Sequence, residues 1–246
     1  MTTLQDVLRG LRERNPTSPR LTWYGPGGQE RVELSGRVLD NWVSKAGNLL
    51  LEELEEPVGA RVRISLTAGH WRFWYWSLAV LTVGGTVLLD PEPVDLPGDL
   101  TISMEPSTHG DAPLVLVTPQ ALARSYPGNL PAGAIDEARV LLTFPDVLTV
   151  DDTPEDTDIA IAVGGEVVDY RDLVPPVGQA GPVRLHLTSR VGPVNGLRAA
   201  LGVWAHGGSV VVTPPGPAEL VERIRRSEAV TTNADTLPSA GLSGTR

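Results

Sequence analysis

Leu4, Val7, Leu8 and Leu11 recur at the interval of one helical face, with Pro16 and Pro19 beyond them, so a short amphipathic helix is predicted over residues 3–14. Residues 21–24 and 31–34 then read as two strands joined by the turn GPGGQ, a hairpin signal. Ser35 offers an N-cap oxygen, and Leu34 and Leu39 are spaced for a hydrophobic staple across it. A long helix follows: Val38, Leu39, Trp42, Val43, Ala46, Leu49 and Leu50 keep the helical period as far as the acidic cluster Glu52, Glu53, Glu55 and Glu56, which reads as a solvated helix end.

Val62, Ile64 and Leu66 alternate as a strand that leads into GHWRFWYWSLAVLTVGG, a helix apolar on nearly every side and therefore buried. Trp71, Trp74, Leu78 and Leu81 form one stripe of it and read as core packing. Gly84 and Gly85 end the helix, and GTVLLDP is the next strand. Further strands are predicted at residues 100–104 and 114–117, and a strand or a helix near 138–144, within a proline-rich stretch of weak period.

After the acidic loop DDTPEDTD, the stretch IAIAVGGEVVDYRDL reads as a buried strand, a two-glycine turn and the start of a helix. A strand at 183–187, a helix at 193–205, a strand at 208–213 and a helix at 217–226 follow. Alternating strands and helices imply parallel pairing with crossover connections. The expected fold is α/β, two consecutive mostly parallel sheets flanked by helices. Residues 1–150 are expected to form a first half, 151–236 a second, and 237–246 a small, polar, mobile tail.

The 246 residues, 41% of them hydrophobic, suffice for one large α/β domain or two modest ones. Twenty basic against 30 acidic residues give a net charge of −10, with no Lys/Arg cluster dense enough to track a phosphate backbone. Nucleic acid and anionic membrane are thus not expected partners. With no cysteine there are no disulfides and no thiolate sites. The N-terminus lacks an apolar signal region and the apolar runs are too short for a bilayer, so a cytoplasmic location is expected. A single lysine, Lys45, stands among nineteen arginines; with abundant Gly, Pro, Ala and Val this reads as the codon bias of a GC-rich bacterial genome.

Chemistry is sparse. Nucleophilic catalysis needs a base, and none of the four histidines sits in a recognisable frame: His70 opens the apolar helix, His109 lies in a loop, His186 within a strand, and His206 ends a helix. There is no G-x-S-x-G elbow, P-loop, G-x-G-x-x-G or H-E-x-x-H motif. Asp151, Asp152, Glu155, Asp156 and Asp158 lack the alternating frame of a calcium loop, so no metal site is expected. The strand and glycine turn at Gly164 and Gly165, leading to a helix start, would be a phosphate cradle if helix-start N–H groups faced an anion.

The order of elements carries a resemblance. RLTWYGPGGQERVELSGRVLDNWVSKAGNLL followed by VGARVRISLTAGHWRFWYWSLAVLTVGGTVLLDP is similar to the N-terminal region of adenylate-forming enzymes, the AMP-binding acyl-CoA synthetase and ligase superfamily. DTDIAIAVGGEVVDYRDLV resembles the segment in which a strand enters the family's phosphate loop, and the strand, helix, strand and helix from Arg184 onward resemble the units that follow. Within that superfamily the chain is most similar to a group of short, adenylation-like proteins.

The resemblance implies a loop close to T-S-G-T-T-G-x-P-K-G, whose hydroxyls, amides and lysine hold ATP phosphates. VGGEV stands in its place, and Glu166 brings a carboxylate where phosphate would come. The similarity also ends before the family's adenine and ribose motifs and before the small domain that carries its catalytic lysine. The resemblance therefore implies a truncated, non-catalytic binding or interaction module, with no cofactor and no catalytic residue. Its partner would be a protein or a small carboxylate. Two alternatives stay open. One is a divergent or split ligase completed by another chain, using ATP/AMP and CoA. The other is a carboxylate or acyl sensor, because the family shapes its acyl pocket just before the glycine-containing helix, where Arg190 and Asn195 lie.

Overall fold

The computed structural model describes residues 2–90, 97–106, 112–176 and 181–234. The chain groups into two compact units, neither continuous in sequence. One takes the described residues of 1–40, 67–74 and 171–241, the other those of 41–66 and 75–170. The division falls inside helix α2 (Gly36–Glu53), after Asp40, and inside helix α3 (Trp71–Thr82), after Trp74.

The first unit holds a five-stranded sheet. Strand β1 (Pro19–Tyr24) pairs antiparallel with β2 (Arg31–Ser35), as the GPGGQ turn predicts. Strands β10 (Arg184–Thr188), β11 (Ser209–Thr213) and β12 (Thr232–Asn233) join β1 in parallel, in the order β12-β10-β11-β1-β2. Helix α1 (Leu4–Glu13) is capped by Thr3, whose Oγ1 accepts the Asp6 N–H at 3.2 Å while Asp6 Oδ2 accepts the Thr3 N–H at 3.0 Å. Leu4, Val7, Leu8 and Leu11 are all buried, and α1 packs on helix α5 (Pro193–Ala205). Helix α6 (Ala218–Ser227) buries only Ile224.

Arg20, itself buried, ties the ends of α1 and α5 together. Its guanidinium donates to Arg14 O at 2.6 Å, Gly208 O at 3.0 Å and Gly207 O, and Arg20 O accepts the Trp204 indole N–H at 2.9 Å. A cation among carbonyls at two helix C-termini is favoured by both dipoles. Ser35 caps α2 as expected, its Oγ accepting the Val38 N–H at 3.3 Å, and Leu34 and Leu39 are both buried.

The second unit holds a seven-stranded sheet in the order β7-β6-β5-β3-β4-β8-β9. Its parallel strands are β3 (Arg61–Ser65), β4 (Thr86–Leu89), β5 (Leu100–Ser103), β6 (Leu114–Leu116), β7 (Ile135–Asp136) and β8 (Ile159–Val163). Strand β9 (Glu166–Asp169) closes the edge antiparallel to β8. The two mostly parallel sheets flanked by helices expected from the alternation are present. Trp71, Phe73, Trp74, Tyr75 and Trp76 are all buried in α3, as its all-round apolarity requires.

One open reading is resolved, two short strands are added and one expectation is overturned. Where a strand or a helix was open near 138–144, the chain forms helix α4 (Glu137–Val140) and a 3₁₀ turn at Leu141–Thr143. Strands β7 and β12, two residues each, lie below the length at which alternation signals a strand. No helix starts after Gly165: Val167 and Val168, both β-branched, extend as β9, and only a 3₁₀ turn at Tyr170–Asp172 follows. Pro91 at the end of the GTVLLDP stretch, His109 and the tail at 237–246 lie outside the described residues.

Candidate functional site

The stretch that would hold phosphate is a β-hairpin. Val163 on β8 pairs directly with Glu166 on β9, so Gly164 and Gly165 are the whole loop. Gly164 has φ +57° and Gly165 is not in the left-handed region, the sign pattern of a two-residue hairpin turn with glycine first. A phosphate cradle needs several consecutive N–H groups turned to one point, or a helix N-terminus. Two residues committed to reversing the chain supply neither. Glu166, exposed at the first position of β9, adds a negative charge beside the turn. The far end of the hairpin is pinned by Tyr170, whose hydroxyl reaches Gly85 O at 2.7 Å and Leu81 O at 3.1 Å. Burial, with Asp158 nearby, pushes that phenol above its ordinary range.

Arg190 and Asn195 lie on opposite sides of the start of α5. Arg190 is exposed in a 3₁₀ turn at Ser189–Val191, its N–H donating to Thr188 Oγ1 at 3.4 Å; Asn195 is half-buried in the first turn of the helix. Between them Gly192, at φ +77°, takes the N-cap position without a side-chain cap bond, and Pro193 follows at the first helical position. Both lie in the segment that follows the carboxyl end of β10, far along the chain from Gly164, Gly165 and Glu166.

The described histidines have structural surroundings. His70 is buried, its Nδ1 accepting the Arg72 N–H at 3.2 Å and its ring 4.8 Å from that of Trp23. His186 is buried between Thr213 Oγ1, 2.9 Å from Nε2, and Asn233 Oδ1, 3.1 Å from Nδ1. His206 Nδ1 lies 3.0 Å from Gly202 O at the end of α5.

Sequence reading missed two polar clusters. In the first unit Glu228 accepts from Tyr24 Oη at 2.6 Å, from Arg31 Nε at 2.9 Å and from the guanidinium of Arg184. Arg184 also donates to Glu228 O at 2.7 Å and to Ser209 Oγ and Thr22 Oγ1 at 3.0 Å each. Burial alone would raise the Glu228 carboxyl, but the bonds from Arg31, Tyr24 and Arg184 outweigh it and hold the group at about 2. In the second unit the buried Glu137 takes hydrogen bonds from Tyr75 Oη and, at 3.3 Å, from Trp76 Nε1. The one signal for either cluster was an acidic residue beside an apolar run, which does not name its distant partners.

Among the described residues, no group of three or more His, Asp or Glu side chains is placed to hold a metal ion, and no helix is long and apolar enough to cross a membrane.

No family model matches the chain. It is 30% identical over 233 residues to a "TIGR03089 family protein" of Mycobacterium tuberculosis (strain ATCC 25618 / H37Rv), a match covering 89% of this chain and 92% of that one. Among solved structures it is similar to an acyl-CoA synthetase of Brucella canis, with a TM-score of 0.72 at 13% identity over 95% of this chain and 47% of that one. The inhibitor-bound N-terminal domain of FACL13 from M. tuberculosis gives 0.67 at 14% identity, covering 99% of this chain and 67% of that one. A fatty acyl CoA synthetase of M. tuberculosis gives 0.67 at 14%, covering 95% and 49%. The chain spans about half the length of the two synthetases. At these identities the likeness is one of fold, the N-terminal fold of adenylate-forming enzymes.

Proposed function

The chain belongs to the TIGR03089 family, and from that premise we propose that it uses the adenylate-forming N-terminal fold as a non-catalytic binding or interaction module. The observation that carries this reading is the pairing of Val163 with Glu166, which leaves two glycines where ATP phosphates would need a loop of donors. Adenylyl transfer draws most of its acceleration from preorganised donors and cations around phosphate. A tight turn flanked by a carboxylate offers no such stabilisation. Equilibrium binding of labelled ATP, together with acid-dependent pyrophosphate exchange over a panel of carboxylic acids, tests the reading. The expected result is neither binding nor exchange, and robust exchange would overturn it.

A second reading, a sensor of small carboxylates, is favoured by the exposed Arg190 beside the uncapped start of α5. A guanidinium and free helix-start amides suit a carboxylate. Melting shifts across a carboxylate panel should then appear in the native chain and vanish in Arg190→Ala. Equal shifts in both would remove Arg190 from the pocket.

A further inference from the structure

Residues 141–150 of the second unit read LLTFPDVLTV, an apolar-rich stretch of which only Leu141 is buried. Leu142 is 64% exposed and Val147 74%, while Phe144, Leu148 and Val150 are half-buried. A single exposed leucine is ordinary on a protein surface. What sets this stretch apart is that its backbone is fastened to helix α2 while its apolar side chains stay in water. Lys45 Nζ donates to Leu142 O at 3.4 Å and pairs with Asp146 at 2.7 Å. Asn48 Nδ2 donates to Pro145 O at 3.2 Å and to Val147 O at 3.0 Å. Leu148 fills the space that Gly47 leaves, since a Cβ at Gly47 would lie 2.5 Å from Leu148 Cδ2. The stretch is thus a strap held to the helix by its carbonyls, and Leu142 and Val147 stand on its outer side.

The surroundings of the strap have one sign of charge. Lys45, Asn48 and Glu52 share a face of α2, so the face that holds the strap continues into the exposed Glu52, Glu53, Glu55 and Glu56. Beyond its own end the strap runs into the exposed Asp151, Asp152, Glu155 and Asp156. The two acidic runs converge: a Cβ at Gly84 would meet Val58 Cγ2 at 2.9 Å and Pro154 Cδ at 3.3 Å, so the loops that carry them pack on one point. No Lys, Arg or His occurs in residues 46–60 or 140–158, and none of these eight carboxylates has an ion-pair partner among the described residues. Lys45, the nearest cation in sequence, is already committed to the strap.

We propose that the strap is a docking surface for a cationic amphipathic segment of another protein. The apolar residues of that segment would cover Leu142 and Val147, and its Lys and Arg side chains would meet the acidic rim. An exposed apolar patch with a polar border is the pattern of an interaction site, and complementary charge around it selects the partner and steers its approach. Because the strap is already fixed from beneath by Lys45, Gly47 and Asn48, docking orders little that is not ordered beforehand. A second copy of this chain, itself at a net charge of −10, and an anionic membrane are both repelled by the rim. None of these residues belongs to the Gly164–Gly165 turn, so pyrophosphate exchange does not decide this proposal.

Fluorescence anisotropy on the full chain tests it, with a labelled 14-residue helical peptide of Leu and Lys as the probe. The same peptide with Glu for Lys, and with Ser for Leu, serve as comparisons. The Leu/Lys peptide should bind with a micromolar dissociation constant in 50 mM NaCl and more weakly in 500 mM. The Glu peptide should not bind, and the Ser peptide should bind at least tenfold more weakly. Leu142→Ser with Val147→Ser should weaken binding about tenfold, and Glu55→Gln with Glu56→Gln about threefold with a shallower salt dependence. Glu13→Gln with Glu219→Gln, two exposed carboxylates of the first unit, should leave binding unchanged. All these positions are exposed, and melting curves confirm that each variant is folded. Binding unaffected by the two serines overturns the proposal. So does an equal loss in the Glu13 and Glu219 variant, which would make the attraction one of net charge. Sedimentation showing a dimer that the two serines dissociate would give the strap to a second copy and overturn it as well.

Discussion

Val163 and Glu166 face each other as a register pair across the β8–β9 hairpin, so the reversal rests on Gly164 and Gly165 alone. Gly164 holds φ +57°, where a Cβ crowds the backbone, while a Cβ on Gly165 would meet nothing within 4 Å. Gly164→Ala should therefore lower unfolding stability by about 1–2 kcal/mol, and Gly165→Ala by less than about 0.5 kcal/mol. Urea denaturation of the two variants checks this, and equal losses would contradict the turn geometry.

Charge is the smaller obstacle to phosphate at this turn. Glu166→Gln removes the carboxylate but leaves a two-residue loop without a cradle, so ATP binding should stay undetectable by calorimetry at millimolar nucleotide. If the variant bound ATP, repulsion alone would have been excluding it, and the backbone argument would fail.

Elements whose burial shows as a period were legible in the sequence. Leu4, Val7, Leu8 and Leu11 gave α1, and the unbroken apolar run gave a buried α3, because each helix records its own surroundings every third or fourth residue. The turn was misread because DYRDL resembles a helix start, although Val167 and Val168 already favoured a strand and Val168 buries itself opposite Ile161. Partnerships over distance were not legible. Nothing in Arg184 announces that its guanidinium meets Glu228, 44 residues on, or that Arg20 reaches Gly208, 188 residues on. The interleaving of the two units is of the same kind, since it depends on which strands β1 and β3 find as neighbours. For the candidate site, the absence of a Ser/Thr-rich phosphate loop could be read from VGGEV, but the Val163–Glu166 register that closes the turn could not.

The sole lysine has a structural task. Lys45 on α2, 15% exposed, donates to Leu142 O at 3.4 Å and to Phe144 O, and pairs with Asp146 at 2.7 Å. One turn on, Asn48 Nδ2 donates to Pro145 O at 3.2 Å and Val147 O at 3.0 Å, so two side chains on one helical face hold residues 142–147 by their carbonyls. Lys45→Met should cost about 1–2 kcal/mol in urea denaturation and speed amide exchange in the segment around residues 142–148, with Lys45→Arg intermediate. Unchanged exchange there would show that Asn48 holds the segment alone.

Acid should unfold the first unit through Glu228. Its carboxyl titrates at about 2 in the folded chain, against 4.5 when free, so the folded state binds the proton less readily. A depressed carboxyl contributes stability that is complete above its unfolded value and is lost as pH falls from about 4.5 toward 2. Arg31 is 42% exposed, which weakens its share through solvent screening, but Arg184 and Glu228 are 17% and 8% exposed and keep most of theirs. The contribution should be about 2 kcal/mol. Glu228→Gln should lower stability by at least that amount at neutral pH, leaving Arg184 without its counter-charge, and should flatten the acid limb of stability against pH. Urea denaturation of both proteins from pH 7 down to pH 2 measures the two slopes. Parallel slopes would show that another carboxylate controls the acid transition.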